Sequence, residues 1–75
     1  MTSKQQLGLR IKFLRKQRRW SQEDLALNAN VNKNYISDLE NGRRNPSLDI
    51  LERIAVSMNI TLEELFRGIE TIPGI

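Results

Sequence analysis

Lys33, Asn34, Ser37 and Asp38 fall within a single six-residue span. If that span is helical, Ile36 and Leu39 share an inward face and these four side chains point outward. A lysine only donates, a serine or asparagine donates and accepts, and a carboxylate only accepts. The set is equipped to read a hydrogen-bonding pattern, and it holds no nucleophile–base pair for a reaction. A solvated helix face has much the same composition. What sets this one apart is a basic neighbourhood: Arg43 and Arg44 follow directly, and Lys12, Arg15, Lys16, Arg18 and Arg19 precede it.

Charge is divided unevenly along the 75 residues, whose formal net charge is +3. Residues 1–44 carry ten Lys/Arg against four acids, a balance of +6, and residues 45–75 carry two against five, a balance of −3. One half is suited to meet a polyanion, with nucleic acid the first candidate and an anionic membrane surface the second. A membrane-binding helix masses Trp, Phe or Leu opposite its cations. The first helix has only Leu7, Ile11 and Leu14 on one stripe, an ordinary core face, so no membrane partner is expected. Neither cysteine nor histidine occurs. Disulfides, thiolate metal sites, the common zinc sites and the usual catalytic triads therefore lose their main participants. No cofactor or metal is expected, and a chain this short leaves little room for a substrate pocket. The amino terminus has no apolar signal-peptide core and no segment reaches membrane-spanning length, so the expected location is the cytoplasm.

The elements that must position these residues read as five helices without a strand, a single all-α domain over residues 1–75. The first spans about Ser3 to Arg18, with Leu7, Ile11 and Leu14 at helical spacing. Trp20 precedes a capping-box-like start at Ser21 and Asp24 and reads as core. The second helix has Leu25, Ala26 and Ala29 on its apolar side. Asn32 caps the third. Asn41-Gly42 ends it, because Gly42 takes a left-handed backbone without steric cost, and Pro46 blocks continuation. Ser47 opens a fourth helix with Leu48, Leu51, Ile54, Ala55 and Met58 on one stripe. Thr61-Leu62-Glu63-Glu64 is a capping box for a short last helix with Leu65 and Phe66.

Two features of this layout suit an anionic backbone. Gln22 stands at a helix start, where free amides and the positive dipole end favour a phosphate. Arg43 and Arg44 stand in a loop that can lay cations along a strand. Tyr35 either packs its ring against the two-helix unit and sends its hydroxyl to a phosphate or is purely structural, and Asn41 can donate to the same strand. Lys12, Lys16, Arg18 and Arg19 supply longer-range attraction.

The runs Gln22-Glu23-Asp24-Leu25-Ala26 and Tyr35-Ile36-Ser37-Asp38-Leu39-Glu40-Asn41-Gly42-Arg43-Arg44-Asn45-Pro46, with Glu64-Leu65-Phe66, resemble the Cro/phage-repressor (Xre-like) helix-turn-helix regulators. The resemblance covers residues 7–66 and is strongest to controller proteins of restriction–modification systems. Stand-alone phage and chromosomal repressors share much of the same pattern. It implies a compact five-helix lambda-repressor-like domain and a sequence-specific transcriptional regulator of double-stranded DNA. It places Lys33, Asn34, Ser37 and Asp38 at base edges. The chemistry allows this: lysine matches guanine acceptors, asparagine pairs with adenine and serine suits several bases. Asp38 either accepts from a cytosine amino group or orients a neighbouring cation. Gln22, Tyr35, Asn41, Arg43 and Arg44 take the backbone, with Arg43 the one placed to reach a base or minor-groove edge.

The resemblance also pairs Arg15 with Glu40 as a structural ion pair. A single recognition helix reads few base pairs, so a two-fold dimer on a pseudo-palindromic operator is expected. Its interface is assigned to residues 60–75, through Leu62, Leu65, Phe66, Ile69 and Ile72, the inner ones shared between core and interface. RNA polymerase is admitted as a further partner. The rival from another class is a protein-binding antitoxin-like or anti-repressor-like module, which salt-dependent, sequence-selective duplex binding would exclude. Because the chain starts at Met1 and ends without a linker, a complete regulator is expected rather than a piece of a longer one.

Overall fold

Each helix begins at a side chain that accepts a hydrogen bond from its own first turn, so the chain's starts are written locally. The computed structural model describes residues 1–69. In it, α1 (Ser3–Gln17) opens on Thr2, α2 (Gln22–Ala29) on Ser21, α3 (Lys33–Glu40) on Asn32, α4 (Leu48–Ser57) on Ser47 and α5 (Leu62–Leu65) on Thr61. The Ser21–Asp24 capping box is complete, with both reciprocal bonds made at 2.8 and 3.0 Å. A second capping box joins Thr2 and Gln5 at the start of α1. At α5 the structure makes the Thr61 half of the expected box, Thr61 Oγ1 accepting from the Glu64 N–H at 3.1 Å. No strand occurs among the described residues.

Four of the helix ends share one geometry. The cap of α2, or the residue after the cap of α1, α3 and α4, turns left-handed, and the next amide reaches back to close the final turn. At α1 these are Arg19, with φ 59°, and the Trp20 N–H to the Arg15 carbonyl at 3.2 Å. Asn30, Gly42 and Asn59 take the same place after α2, α3 and α4. Gly42 is the one read from the sequence. Three of the four turns are followed by an apolar residue (Trp20, Val31 or Ile60) packed against the core, so chain reversal and core filling are achieved together.

The core takes Leu7, Ile11 and Leu14 from α1, Leu25, Ala26 and Ala29 from α2, Ile36 and Leu39 from α3, Leu51, Ile54 and Ala55 from α4, then Met58 and Leu65. Leu48 is a correction. Its angle puts it on the α4 stripe, but it lies in the first turn, where no neighbour covers it, and it is 60% exposed. Ile50 packs against the core from that turn instead. The last helix also ends one residue sooner than read, at Leu65, with Phe66 as its cap.

Gly8 decides how closely α1 and α3 approach. A Cβ added there would overlap the Leu39 carbonyl oxygen and stand 2.7 Å from that of Glu40. The absent side chain lets α1 lie against the end of the helix that carries the outward polar face. Gly8→Ala should therefore lower stability despite alanine's helix-propensity advantage of about 1 kcal/mol, because relieving the overlap costs about 1–3 kcal/mol. Thermal and urea melts of the variant check this, and an unchanged or raised midpoint would show that the contact yields freely.

Candidate nucleic-acid interface

The orientation of α3 is set from beneath by a buried ion pair. Arg15 Nε meets Glu40 Oε2 at 2.7 Å and Arg15 Nη2 meets Oε1 at 2.9 Å, a two-pronged contact with both side chains almost wholly buried. The third edge of the guanidinium donates to the Trp20 carbonyl at 2.7 Å. Glu40 Oε1 also accepts from Gln22 Nε2 at 3.2 Å. One arginine thus ties α1, the α1–α2 turn and the last residue of α3 together, and Gln22 adds the start of α2. The hydrogen-bonded Glu40 carboxylate raises the Arg15 pKa above its already high ordinary value, while burial works against that.

With Ile36 and Leu39 fully buried and Glu40 clamped, the opposite side of α3 is turned out. Lys33 and Asn34 are exposed and Ser37 and Asp38 half-exposed. Asn34, Ser37 and Asn41 recur at i, i+3 and i+7 along this side. Asn41 spends one side-chain N–H on the Ser37 carbonyl, at 2.8 Å. Asn32 accepts from the Asn34 N–H at 2.7 Å, fixing the first turn that presents Lys33 and Asn34.

The loop after α3 returns toward the same surface. The Arg43 N–H donates to the Asp38 carbonyl at 2.9 Å. The Asp38 carboxylate faces Arg43 Nη1 at 3.8 Å and Arg44 Nη2 at 3.4 Å. The Arg44 guanidinium lies over the Tyr35 ring, 4.9 Å from its centre. Asp38 thus has both loop cations within reach, the geometry its orienting role requires, and its side chain stays partly exposed on the α3 side. Tyr35 is half-buried against the core and supports Arg44, so its ring is committed to packing.

The structure does not gather every assigned residue here. Gln22 is at the start of α2 as expected, but its amide is shared with Glu40. Arg18, one of the cations expected to act at long range, also has a structural role: it donates to the Leu14 carbonyl and, across to the end of α4, to the Met58 carbonyl, each at 2.8 Å. Arg10 likewise closes the end of α5, donating to the Glu64 carbonyl at 2.8 and 3.3 Å. Neither that role nor the Gly8 crossing is among the expectations from the sequence. An isolated glycine within a helical pattern was the available signal for the latter. A lone arginine in a row of cations gave none for the former.

Of the interface set, Phe66 is 39% exposed, and Leu62 and Ile69 are half-buried. Leu65 is corrected: at 0% exposed it fills the core between the helices and has no surface to offer a partner. Ile72 lies outside the described residues.

Comparison with known proteins agrees with this geometry. The family model described as helix-turn-helix matches residues 11–65. The control protein C.MunI of Mycoplasma is 45% identical over 64 residues, spanning 84% of this chain and 86% of the relative. The immunity repressor of Bacillus phage phi105 is 41% identical over 66 residues, 88% of this chain but 45% of its own length. Among solved structures, the restriction-modification controller protein C.AhdI of Aeromonas hydrophila superposes with a TM-score of 0.81 at 34% identity, covering 83% of this chain and 94% of that one.

The clamp beneath α3 makes a direct prediction. Arg15→Ala or Glu40→Ala leaves one buried charge unpaired and should cost about 3–5 kcal/mol, while Lys16→Ala, at an exposed neighbour, should change stability by no more than about 0.5 kcal/mol. The Arg15→Ala/Glu40→Ala double variant should lose less than the two single losses combined, because each partner's removal relieves the other's burial. Urea midpoints for the four proteins test this, and three equal single-variant losses would refute the pairing.

Proposed function

We propose, since this chain belongs to the helix-turn-helix family of DNA-binding transcriptional regulators, that it acts as a homodimer on a pseudo-palindromic operator. The observation that carries the reading is the exposed side of α3, clamped by Arg15–Glu40 on one side and flanked by Arg43 and Arg44 on the other. A B-form major groove admits one helix of this kind, whose side chains then meet base edges. Lys33, Asn34 and Ser37 take the bases. Lysine offers donors to guanine O6 and N7, asparagine a donor–acceptor pair to adenine, and serine either type of bond.

Gln22, Asn41, Arg43 and Arg44 take phosphates. Glu40 occupies one N–H of the Gln22 side-chain amide and leaves the other, together with the first backbone amides of α2, for an anion. Lys12, Lys16 and Arg19, exposed on and just after α1, add attraction without fixed geometry. Arg15 makes no DNA contact in this reading.

One α3 contacts too few base pairs for specific binding, and two related by a dimer axis sit about one helical turn apart. Leu62, Phe66 and Ile69 supply the described part of that interface, in the acidic half of the chain. The likeness to controller proteins runs through most of both chains, which supports a controller of restriction–modification type rather than a phage repressor. Such a dimer works in the cytoplasm, where its seat on a promoter blocks or recruits RNA polymerase according to operator position.

Two expectations follow, the first concerning assembly. At tens of micromolar the protein should sediment as a dimer, and Phe66→Lys should shift it toward monomer with its melting temperature largely kept. A wild-type monomer at that concentration, with and without DNA, would sink the dimer.

The second concerns the division of contacts. Selection of bound duplexes from a random pool at physiological salt should yield inverted repeats. On the selected operator, Lys33→Ala and Asn34→Ala should each cost about 1–3 kcal/mol and far less on random duplex. Gln22→Ala and Arg43→Ala should weaken both duplexes alike, and Arg43→Ala should lower the salt slope by about one ion. Equal losses on both duplexes for the α3 variants would show that this helix reads no sequence.

A further inference from the structure

A carboxylate within a DNA-facing surface needs an explanation, since every phosphate repels it. Asp38 is such a group: it shares the α3 side that carries Asn34 and Ser37, and its side chain is 34% exposed. Its charge is directed at the two loop arginines, with Arg44 Nη2 at 3.4 Å from one oxygen and Arg43 Nη1 at 3.8 Å from the other. The Arg43 N–H bond to the Asp38 carbonyl, at 2.9 Å, fixes the loop that brings them there. Tyr35 holds Arg44 from a second side through its ring.

These are loose contacts at the surface, with the Arg43 side chain 71% and the Arg44 side chain 49% exposed. Pairs of this kind add little to stability. Their weakness suits a contact that competes with phosphate.

We propose that Asp38 is a specificity-determining residue, an internal acceptor that holds Arg43 and Arg44 in the arrangement an operator phosphate meets and withholds them from duplex docked in any other way. The inference rests on the DNA-binding reading of α3. On the operator, base contacts from Lys33 and Asn34 seat the helix, and each arginine keeps one edge on Asp38 while its remaining N–H groups reach the strand. A guanidinium has five N–H groups, enough for both. On random duplex no base contact sets the helix depth. The arginines must then leave Asp38 to find phosphates, and each such complex forfeits the contact. Asp38 thereby lowers random binding more than operator binding without touching a base.

The test measures affinity of the full chain for the selected operator and for random duplex across a salt series, for wild type, Asp38→Asn and Asp38→Glu. Asp38→Asn should tighten random binding about five- to tenfold at 0.1 M salt and steepen its salt slope by about one ion. Operator affinity should stay within about twofold, and Asp38→Glu should retain most of the discrimination. In an Arg43→Gln/Arg44→Gln background, Asp38→Asn should no longer change random binding, which separates a hold on these two arginines from simple addition of charge.

Equal tightening on both duplexes, persistence of the effect without the arginines, or a loss confined to one operator base would each overturn the proposal. Melting curves confirm that the compared variants are folded. A wild type that binds no duplex removes the regulator reading and this inference together. A wild type that discriminates while Asp38→Asn behaves identically removes this inference alone.

Discussion

The two-pronged bond between Arg15 and Glu40 is the constraint on which the outward face of α3 depends. Two charges taken out of water recover their desolvation cost only with near-ideal geometry and with their remaining hydrogen-bonding capacity filled. Both conditions hold here. The prongs measure 2.7 and 2.9 Å, Trp20 takes the third edge of the guanidinium, and Gln22 adds a donor to the carboxylate. No buried side-chain nitrogen or oxygen among the described residues lacks a partner. A planar fork also resists rotation about the helix axis in a way that interchangeable methyl contacts do not. Because Glu40 is the last residue of α3, the clamp sets the roll of the short helix at the end nearest the loop arginines.

Local signals were the legible part of the fold. The caps at Ser21, Asn32, Ser47 and Thr61 and the left-handed Gly42 could each be read from a few adjacent residues. Most core positions followed from helical spacing for the same reason. Leu48 shows the limit of that spacing: an angle says which way a side chain points, and only a neighbouring helix decides whether anything covers it. Arg19 shows another limit. A side chain with a Cβ in a left-handed turn costs about 1–2 kcal/mol, so nothing in its identity announced the turn that places Trp20.

Long-range pairings were legible only in part. Arg15 was singled out from a row of similar cations through a family pattern, not through its own chemistry. Arg10 and Arg18 belong to the same row and are also structural, each satisfying carbonyls at helix ends far along the chain. The carbonyl groups at a helix terminus carry no sequence mark, so an arginine that fills them looks like any solvated cation. The +6 balance of the amino-terminal half therefore does not map onto one face. Two of its charges, on the half-buried Arg10 and Arg18, also close the ends of α1, α4 and α5.

That internal use sharpens the outward surface instead of weakening it. With Arg10, Arg15 and Arg18 directed into the fold, the loop arginines, Lys33 and the exposed cations of α1 remain to meet an anionic partner, and they are held with unequal firmness. Lys33 sits on a first turn capped by Asn32. Arg43 and Arg44 rest on Asp38 and Tyr35 through contacts weak enough to exchange. Lys12, Lys16 and Arg19 lie at the surface on and beyond α1. In the proposed reading, a surface graded in this way attracts a duplex from a distance, aligns it through the loop, and leaves discrimination to the α3 face. The setting of that face traces back to Gly8, whose missing side chain lets α1 lie close against the end of α3, where Arg15 meets Glu40. A residue with no side chain and a pair with no exposure thus determine what the exposed side chains can do.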